Sequence, residues 1–225
     1  MNEFELSYYS SVIIQILSLM IQGYGYSLNV VPSLHTLKYA LNIEFFVSLI
    51  EIVVYLWIGT NLRNYTSVMK KRYIDWFITT NALMISFSLL FIFFYQQKEE
   101  VQEEPLPLDK IMHRNISKYV PILSFNTLML VCGYLGEINY FPKMISVSTG
   151  FFFFFLSFYY LYKFFAKYTM IGSQVLYGLA IIWSLYGLAH TFSEKWKNVS
   201  YNILDLISKN AFGVILVYML LQYKN

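Results

Sequence analysis

Seven long apolar stretches, separated by short polar linkers, dominate the pattern of this chain. A helix needs about 20 mostly apolar residues to cross the hydrocarbon layer of a bilayer, and each stretch approaches or exceeds that length. Their approximate bounds are Ser7 to Leu28, Leu37 to Gly59, Arg72 to Tyr95, Ile116 to Gly136, Phe141 to Phe165, Met170 to Phe192 and Tyr201 to Gln222. The pattern therefore predicts an all-α membrane protein, a bundle of seven transmembrane helices that forms one domain over residues 1–225.

The linkers contain residues that end helices. Pro32 and Ser33 separate the first two stretches. Residues 96–109 hold several glutamates and two prolines, which predicts a solvated loop or a short hairpin. The acidic segment 1–7 lacks the basic region of a cleaved signal peptide, so we expect the first stretch to stay in the membrane as a span.

Composition supports a membrane protein and excludes several other classes. Hydrophobic residues make up 57% of the chain and charged residues 13%, whereas soluble domains carry about 25% charged residues. The net charge of +3 is spread out, so no nucleic-acid surface is predicted. Cys132 is the only cysteine and predicts neither an intrachain disulfide nor a metal site. Basic residues leave the orientation open, since Lys163, Lys167 and Lys224 favour one side as cytoplasmic and Arg63, Lys70 and Lys71 the other.

Ionisable residues inside two of the spans are the main candidates for function. Such residues are costly in lipid and usually face the bundle interior. Lys209 lies deep in the seventh stretch, with Asp205 four residues earlier on the same helical face. Arg72, Asp75 and Thr79 form a second stripe on the third stretch. One alternative is a buried ion-pair network that only orients the helices.

A buried lysine also suits covalent chemistry. Its amine readily forms a Schiff base with an aldehyde, and the protonated product needs a nearby carboxylate, for which Asp75 and Asp205 are available. Trp76, Trp183 and Tyr186 could enclose a flat polyene. The residues alone do not name the aldehyde.

Four motifs resemble those of the microbial rhodopsins. The segment from Leu204 to Gly213 is similar to their retinal-lysine signature, and the segment from Arg72 to Thr80 to their counterion motif. Trp183-Ser-Leu-Tyr186-Gly187 resembles their pocket motif, with Gly187 in place of the usual proline, and Met129, Gly133 and Gly136 fit their fourth helix.

The resemblance implies a function without enzymatic catalysis, a cofactor and a set of roles. All-trans retinal would be attached to Lys209, with Asp75 as counterion and proton acceptor and Asp205 as second counterion. Arg72 would lie on the outward side, and Thr79 would hydrogen-bond to Asp75. The residues implied to line the retinal are Trp76, Thr80, Leu83, Met129, Gly133, Trp183 and Tyr186. The usual orientation of the family places the N-terminus outside and the C-terminus in the cytoplasm of a host-cell or virus-associated membrane.

One departure from the family pattern affects which transport function is expected. Proton pumps of the family usually carry a carboxylate seven residues after the threonine, where this chain has Ser86. A serine cannot store a proton at neutral pH, so efficient pumping is not expected. Asp75 also argues against a chloride pump, and the Asp75–Thr79–Ser86 triad against a sodium pump.

Polar stripes on the first, second and seventh stretches suggest an ion path. They contain Ser11, Gln15, Ser18 and Gln22 on the first, Glu44 and Glu51 on the second, and Asn202 on the seventh. Acids and amides that face a common gap suit a hydrated cation pathway, although interhelical hydrogen bonding is the alternative. The arrangement is similar to channelrhodopsins and to the rhodopsins of giant algal viruses.

The predicted function is thus a light-gated cation channel. The alternatives are a weak outward proton pump and a sensory photoreceptor, which would need a separate partner protein. The predicted partners are the lipid membrane and the transported cations or protons, together with a homo-oligomer packed through Phe-rich helix faces.

Overall fold

The computed structural model describes residues 2–99 and 106–224, which form seven long helices. These are α1 Glu3–Ser27, α2 His35–Gly59, α3 Tyr65–Lys98, α4 Leu108–Glu137, α5 Lys143–Phe164, α6 Met170–Ala189 and α7 Glu194–Lys224. Short 3₁₀ turns at Pro32–Leu34 and Ala166–Tyr168 precede α2 and α6. All seven helices are long and apolar enough to span a bilayer. The predicted fold is confirmed, and the chain is a multi-pass integral membrane protein.

The helices form a closed ring in chain order. Each helix packs against the next one, and α7 closes the ring against α1. In the most apolar 18-residue segment of α3, 67% is buried inside the bundle, and in that of α7 56% is buried. In the other five helices the buried share is 44% at most. Because α3 and α7 have the least lipid-facing surface, polar groups on them are the best shielded from lipid. These are the two helices that carry Asp75 and Lys209.

Several helices extend beyond the apolar stretches that predicted them. α3 begins at Tyr65, seven residues before Arg72, because the Asn64 side chain accepts a hydrogen bond from the Ser67 N–H and caps the helix. The loop predicted over 96–109 is wrong at both ends, since α3 continues to Lys98 and α4 starts at Leu108. Residues 100–105 of that prediction lie outside the described residues.

Two lysines cap helix ends by donating to main-chain oxygens. The Lys38 amine donates to the carbonyls of Gly25, Tyr26 and Leu28 at 2.6–3.0 Å, which closes the C-terminal end of α1. The Lys71 amine donates to the carbonyl of Trp57 at the end of α2. Cations at these positions satisfy carbonyls without a helical partner and complement the negative end of the helix dipole.

Candidate functional site

Lys209 is the centre of a buried cluster of charges. It lies in a π-helical turn, Leu206–Ala211, within α7, and its side chain is buried. The Lys209 amine is 2.6 Å from the Asp75 carboxylate, 3.6 Å from that of Glu51 and 3.9 Å from that of Asp205. π-helical turns occur frequently at functional sites. Three acidic side chains from three helices therefore surround one amine.

Asp205 is also paired with Arg72. An Arg72 guanidinium nitrogen lies 3.0 Å from one Asp205 oxygen, and both side chains are buried. The Tyr55 hydroxyl donates to the same oxygen at 2.7 Å, and the Tyr186 hydroxyl donates to the other at 2.8 Å. Arg72 also donates to the Asn202 side chain. Such dense hydrogen bonding is what a buried ion pair requires to offset its loss of hydration.

The remaining members of the predicted triad bond to main-chain oxygens. The Thr79 hydroxyl donates to the Asp75 main-chain oxygen at 2.9 Å and not to its carboxylate. The Ser86 hydroxyl donates to the main-chain oxygen of Ala40 on α2 at 3.1 Å. One oxygen of the Asp75 carboxylate, Oδ1, is left without a partner among the described residues. The Asp75 carboxylate thus interacts mainly with Lys209.

A cavity of about 120 Å³ extends from Lys209 between α3, α4, α5 and α6. Its walls are almost entirely apolar, and they include all seven residues expected at the cofactor: Trp76, Thr80, Leu83, Met129, Gly133, Trp183 and Tyr186. Tyr73, Phe151, Phe154, His190 and Tyr201 also line it. An amine in an apolar cavity between four helices suits an elongated hydrophobic aldehyde.

The predicted ion-path residues lie together between α1, α2 and α7. The Ser11 hydroxyl donates to the main-chain oxygen of Asn202 at 3.3 Å. Gln15 and Glu44 are buried, and none of their side-chain polar atoms has a partner among the described residues. Glu51 lies beside Lys209, with one carboxylate oxygen 3.6 Å from its amine.

Asn210 connects Glu51 to α1, although it is not among the predicted site residues. Its side-chain amide donates to Glu51 at 3.1 Å, and its main-chain oxygen accepts from the Ser18 hydroxyl at 3.1 Å. Gln22 donates to both Ser18 and Ser48, at 3.0 and 2.9 Å. Ser18 and Gln22 both belong to the polar stripe predicted on the first apolar stretch.

Tyr55 and Asn126 were also missed. Tyr55 is one of 21 tyrosines, so its residue type carried little information, although its spacing from Glu51 places both on one face of α2. The Asn126 amide donates to the Thr80 hydroxyl at 2.8 Å and so bonds to a cavity-lining side chain from α4. An amide inside an apolar stretch was the signal that could have revealed it.

A second polar cluster lies at the end of the cavity near the start of α7. The Lys197 amine, which is buried, contacts both oxygens of Glu137 at 2.9 Å and one oxygen of Glu194 at 2.8 Å. His190, which follows α6, has its Nδ1 atom 3.8 Å from Glu137 and 3.5 Å from the Tyr201 hydroxyl. Burial, with neighbouring Lys197, lowers the pKa of His190 to about 4. The imidazole is therefore neutral at pH 7.

Comparison with known proteins identifies the fold family. A model of the bacteriorhodopsin-like proteins matches residues 5–223. The chain belongs to this family. It is similar to the crystal structure of the viral rhodopsin OLPVRII, with 25% identity, a TM-score of 0.83 and complete coverage of both chains. A search of curated protein sequences found no match.

More distant members share the fold. A blue light-absorbing proteorhodopsin from Med12 has 19% identity and a TM-score of 0.75, with 99% of this chain and 98% of that chain covered. The bromide-bound halorhodopsin of Halobacterium salinarum has 13% identity and a TM-score of 0.68, with coverage of 96% and 93%.

Membership of the bacteriorhodopsin-like family implies a retinal chromophore. The residues present fit this group, because a buried lysine amine opens into an apolar cavity and has carboxylates beside it. Within this cavity, Trp76 packs edge-on against Tyr186 and Tyr201, with ring centroids 5.6 and 4.9 Å apart. Aromatic contacts of this kind give the cavity rigid walls.

Proposed function

We propose that this protein is a light-gated cation channel with all-trans retinal covalently attached to Lys209. The observation that carries the proposal is a group of buried polar side chains without partners between α1, α2 and α7. Gln15 and Glu44 lack any hydrogen-bond partner among the described residues, and Glu51 and Asn210 each keep one oxygen without a hydrogen-bond donor. That oxygen of Glu51 lies 3.6 Å from the Lys209 amine. Unpaired polar groups at membrane depth are costly unless water or an ion satisfies them. A hydrated cation path satisfies all four.

Retinal, when bound, supplies the absorption of visible light and an isomerisation that displaces the Lys209 nitrogen. The side chains of the protein supply the counterions and hold the chromophore in place. Asp75, at 2.6 Å, is the proposed main counterion and proton acceptor. Asp205 is the second counterion and is held in place by Arg72 and two tyrosine hydroxyls. The other cavity side chains fix the orientation of the chromophore.

Glu51 and Asn210 form the proposed gate at the middle of the bundle. Their hydrogen bond, together with that from Ser18 to Asn210, joins α1, α2 and α7 beside Lys209. Displacement of the amine removes the positive charge 3.6 Å from Glu51, so the carboxyl group is released to bind water or a cation. Opening of this contact would connect Glu44 with Gln15.

Arg72 closes the path towards the N-terminal end of the bundle. Its guanidinium donates to Tyr55 at 3.0 Å, to Asn198 at 3.4 Å and to Asn202. A buried positive charge opposes the passage of cations. Conduction therefore requires Arg72 to turn away from the path.

A proton pump is the second candidate, and the position of Asp75 favours it. Proton transfer from Lys209 to a carboxylate at 2.6 Å would begin such a cycle. On the other side of the cavity, Ser86 is bonded to a main-chain oxygen and offers no carboxylate to return the proton. Pumping is therefore expected to be slow. A sensory role would require a partner protein whose conformation changes when the Lys209 nitrogen is displaced.

The arrangement of basic residues supports a cytoplasmic C-terminus. Eight Lys and Arg residues belong to the end of the bundle that holds the C-terminus: Lys38, Lys98, Lys110, Arg114, Lys118, Lys163, Lys167 and Lys224. Six belong to the opposite end: Arg63, Lys70, Lys71, Lys143, Lys195 and Lys197. Excess basic charge marks the cytoplasmic side. A homo-oligomer packed through exposed aromatic side chains such as Phe152 and Phe155 on α5 stays a prediction.

Patch-clamp recording under illumination tests the proposal. A channel gives currents that reverse sign, with a reversal potential that moves by up to about 59 mV for each tenfold change in a permeant monovalent cation. Photocurrents of one direction at every voltage would show a pump instead. Glu44→Gln and Glu51→Gln are expected to change conductance or selectivity. Glu99→Gln, an exposed matched control, should leave both unchanged.

A further inference from the structure

A second cavity, of about 430 Å³, opens at the end of the bundle that holds the C-terminus. It lies where α3 ends, α4 begins and α5 ends, away from Lys209. Phe91, Ile111 and Phe165 form a buried apolar floor. Arg114 and Lys118 from α4 stand at its wall. The cavity therefore combines a hydrophobic base with two cationic side chains.

These two cations are well placed for an anionic ligand. Among the described residues, neither Arg114 nor Lys118 has a carboxylate within ion-pair distance, although five other basic side chains of those residues are paired with carboxylates at distances of 3.3 Å or less. The Lys118 amine donates to the Asn115 side chain at 2.8 Å and lies 5.5 Å from the ring centre of Phe165. Both contacts fix the amine at the cavity.

The cavity lies where α4 enters the hydrocarbon layer from the lipid headgroups. α4 has 30 residues and so spans about 45 Å, against about 30 Å for the hydrocarbon layer. About five residues at each end then lie outside the hydrocarbon. Arg114 and Lys118 are the seventh and eleventh residues of α4, so their long side chains reach the interface. Tyr95 and Tyr168, two exposed aromatics typical of this layer, flank the opening.

We propose that this cavity binds one anionic phospholipid. The headgroup phosphate would pair with Arg114 and Lys118, and the start of an acyl chain would cover the apolar floor. A basic pocket between transmembrane helices on the cytoplasmic side favours anionic lipids through charge, and the guanidinium of Arg114 can bind a phosphate with two parallel hydrogen bonds. The apolar floor distinguishes a phospholipid from free phosphate. The inference does not depend on whether the protein is a channel or a pump.

Native mass spectrometry of the retinal-loaded protein provides the test. Delipidated protein in detergent is titrated with phosphatidylglycerol and, separately, with phosphatidylcholine. The wild type is expected to bind one phosphatidylglycerol in preference to phosphatidylcholine. Arg114→Gln with Lys118→Gln should bind phosphatidylglycerol about thirtyfold more weakly, as expected for two basic residues near a membrane surface. The visible absorption band of each variant shows that it is folded.

The matched control is Lys110→Gln with Lys224→Gln, which removes the same charge from exposed side chains at the same end of the bundle. It should bind phosphatidylglycerol like the wild type. Equal binding of the two lipids, unchanged binding by the cavity variant or an equal loss in the control would each overturn the proposal. If the double variant lacks the visible band, Lys118→Gln alone is compared with Lys110→Gln.

Discussion

Replacement of Arg72 by glutamine removes the partner of a buried carboxylate. The Arg72–Asp205 separation of 3.0 Å corresponds to about 5 to 6 kcal/mol of attraction at an effective dielectric constant of 20. Loss of one member of a buried pair usually costs about 3–5 kcal/mol. Asp205 keeps the hydroxyls of Tyr55 and Tyr186 as donors, so we expect a loss of about 3 kcal/mol.

The assay is thermal loss of the visible band in nanodiscs for the wild type, Arg72→Gln, Asp205→Asn and the double variant. A loss of about 3 kcal/mol corresponds to a midpoint lower by roughly 6–12 °C for a chain of this size. Since the double variant leaves no unpaired charge, we expect a coupling of about 2–3 kcal/mol between the two sites. Additivity within about 0.5 kcal/mol would refute the reasoning, because the pair would then contribute nothing as a pair.

Two further predictions concern stability. A Cβ on Gly25 would lie 2.7 Å from Val217 and 2.9 Å from Leu41, so Gly25→Ala should destabilise the bundle by about 1–3 kcal/mol. Gly178→Ala, whose Cβ would meet nothing within 4 Å, should stabilise it by up to about 1 kcal/mol. Equal thermal midpoints for the two variants would contradict the close packing of α1, α2 and α7 at Gly25. For His190, the folded pKa of about 4 lies below the ordinary 6.5, a difference of 2.5 units or about 3 kcal/mol. This stability is complete above pH 6.5 and is lost as the pH falls towards 4. His190→Gln should therefore lose less stability over that range in pH-dependent melting, and identical profiles would argue against a buried neutral imidazole.

The helices were predictable because lipid imposes a simple rule. Twenty apolar residues in succession leave few alternatives to a spanning helix. Their ends were less predictable, since the turns beyond the bilayer are polar and are fixed by caps such as Asn64. The apolar pattern marks only the part of a helix inside the hydrocarbon, so it does not reveal that Tyr65 to Lys71 belong to α3.

The site was predictable where it consists of charged residues inside apolar stretches. Lys209, Asp75 and Arg72 are conspicuous because charge is rare in a span. The proximity of Glu51 to Lys209 was not visible, because it depends on how α2 and α7 face each other. Tyr55 was hidden among many tyrosines. Such contacts depend on how the helices pack against one another, and the periodicity of a single helix carries no information about that packing.

The π-helical turn at Leu206–Ala211 leaves the two halves of α7 out of phase by one residue. An α-helix rotates by about 100° per residue, so conversion of this turn to α geometry would rotate one half of α7 against the other by about that angle. Lys209 and Asn210 both lie within the turn. A motion that begins at the Lys209 nitrogen can therefore become a screw-like rotation of a whole helix segment, with Asn210 carried away from Glu51 while the helix stays intact.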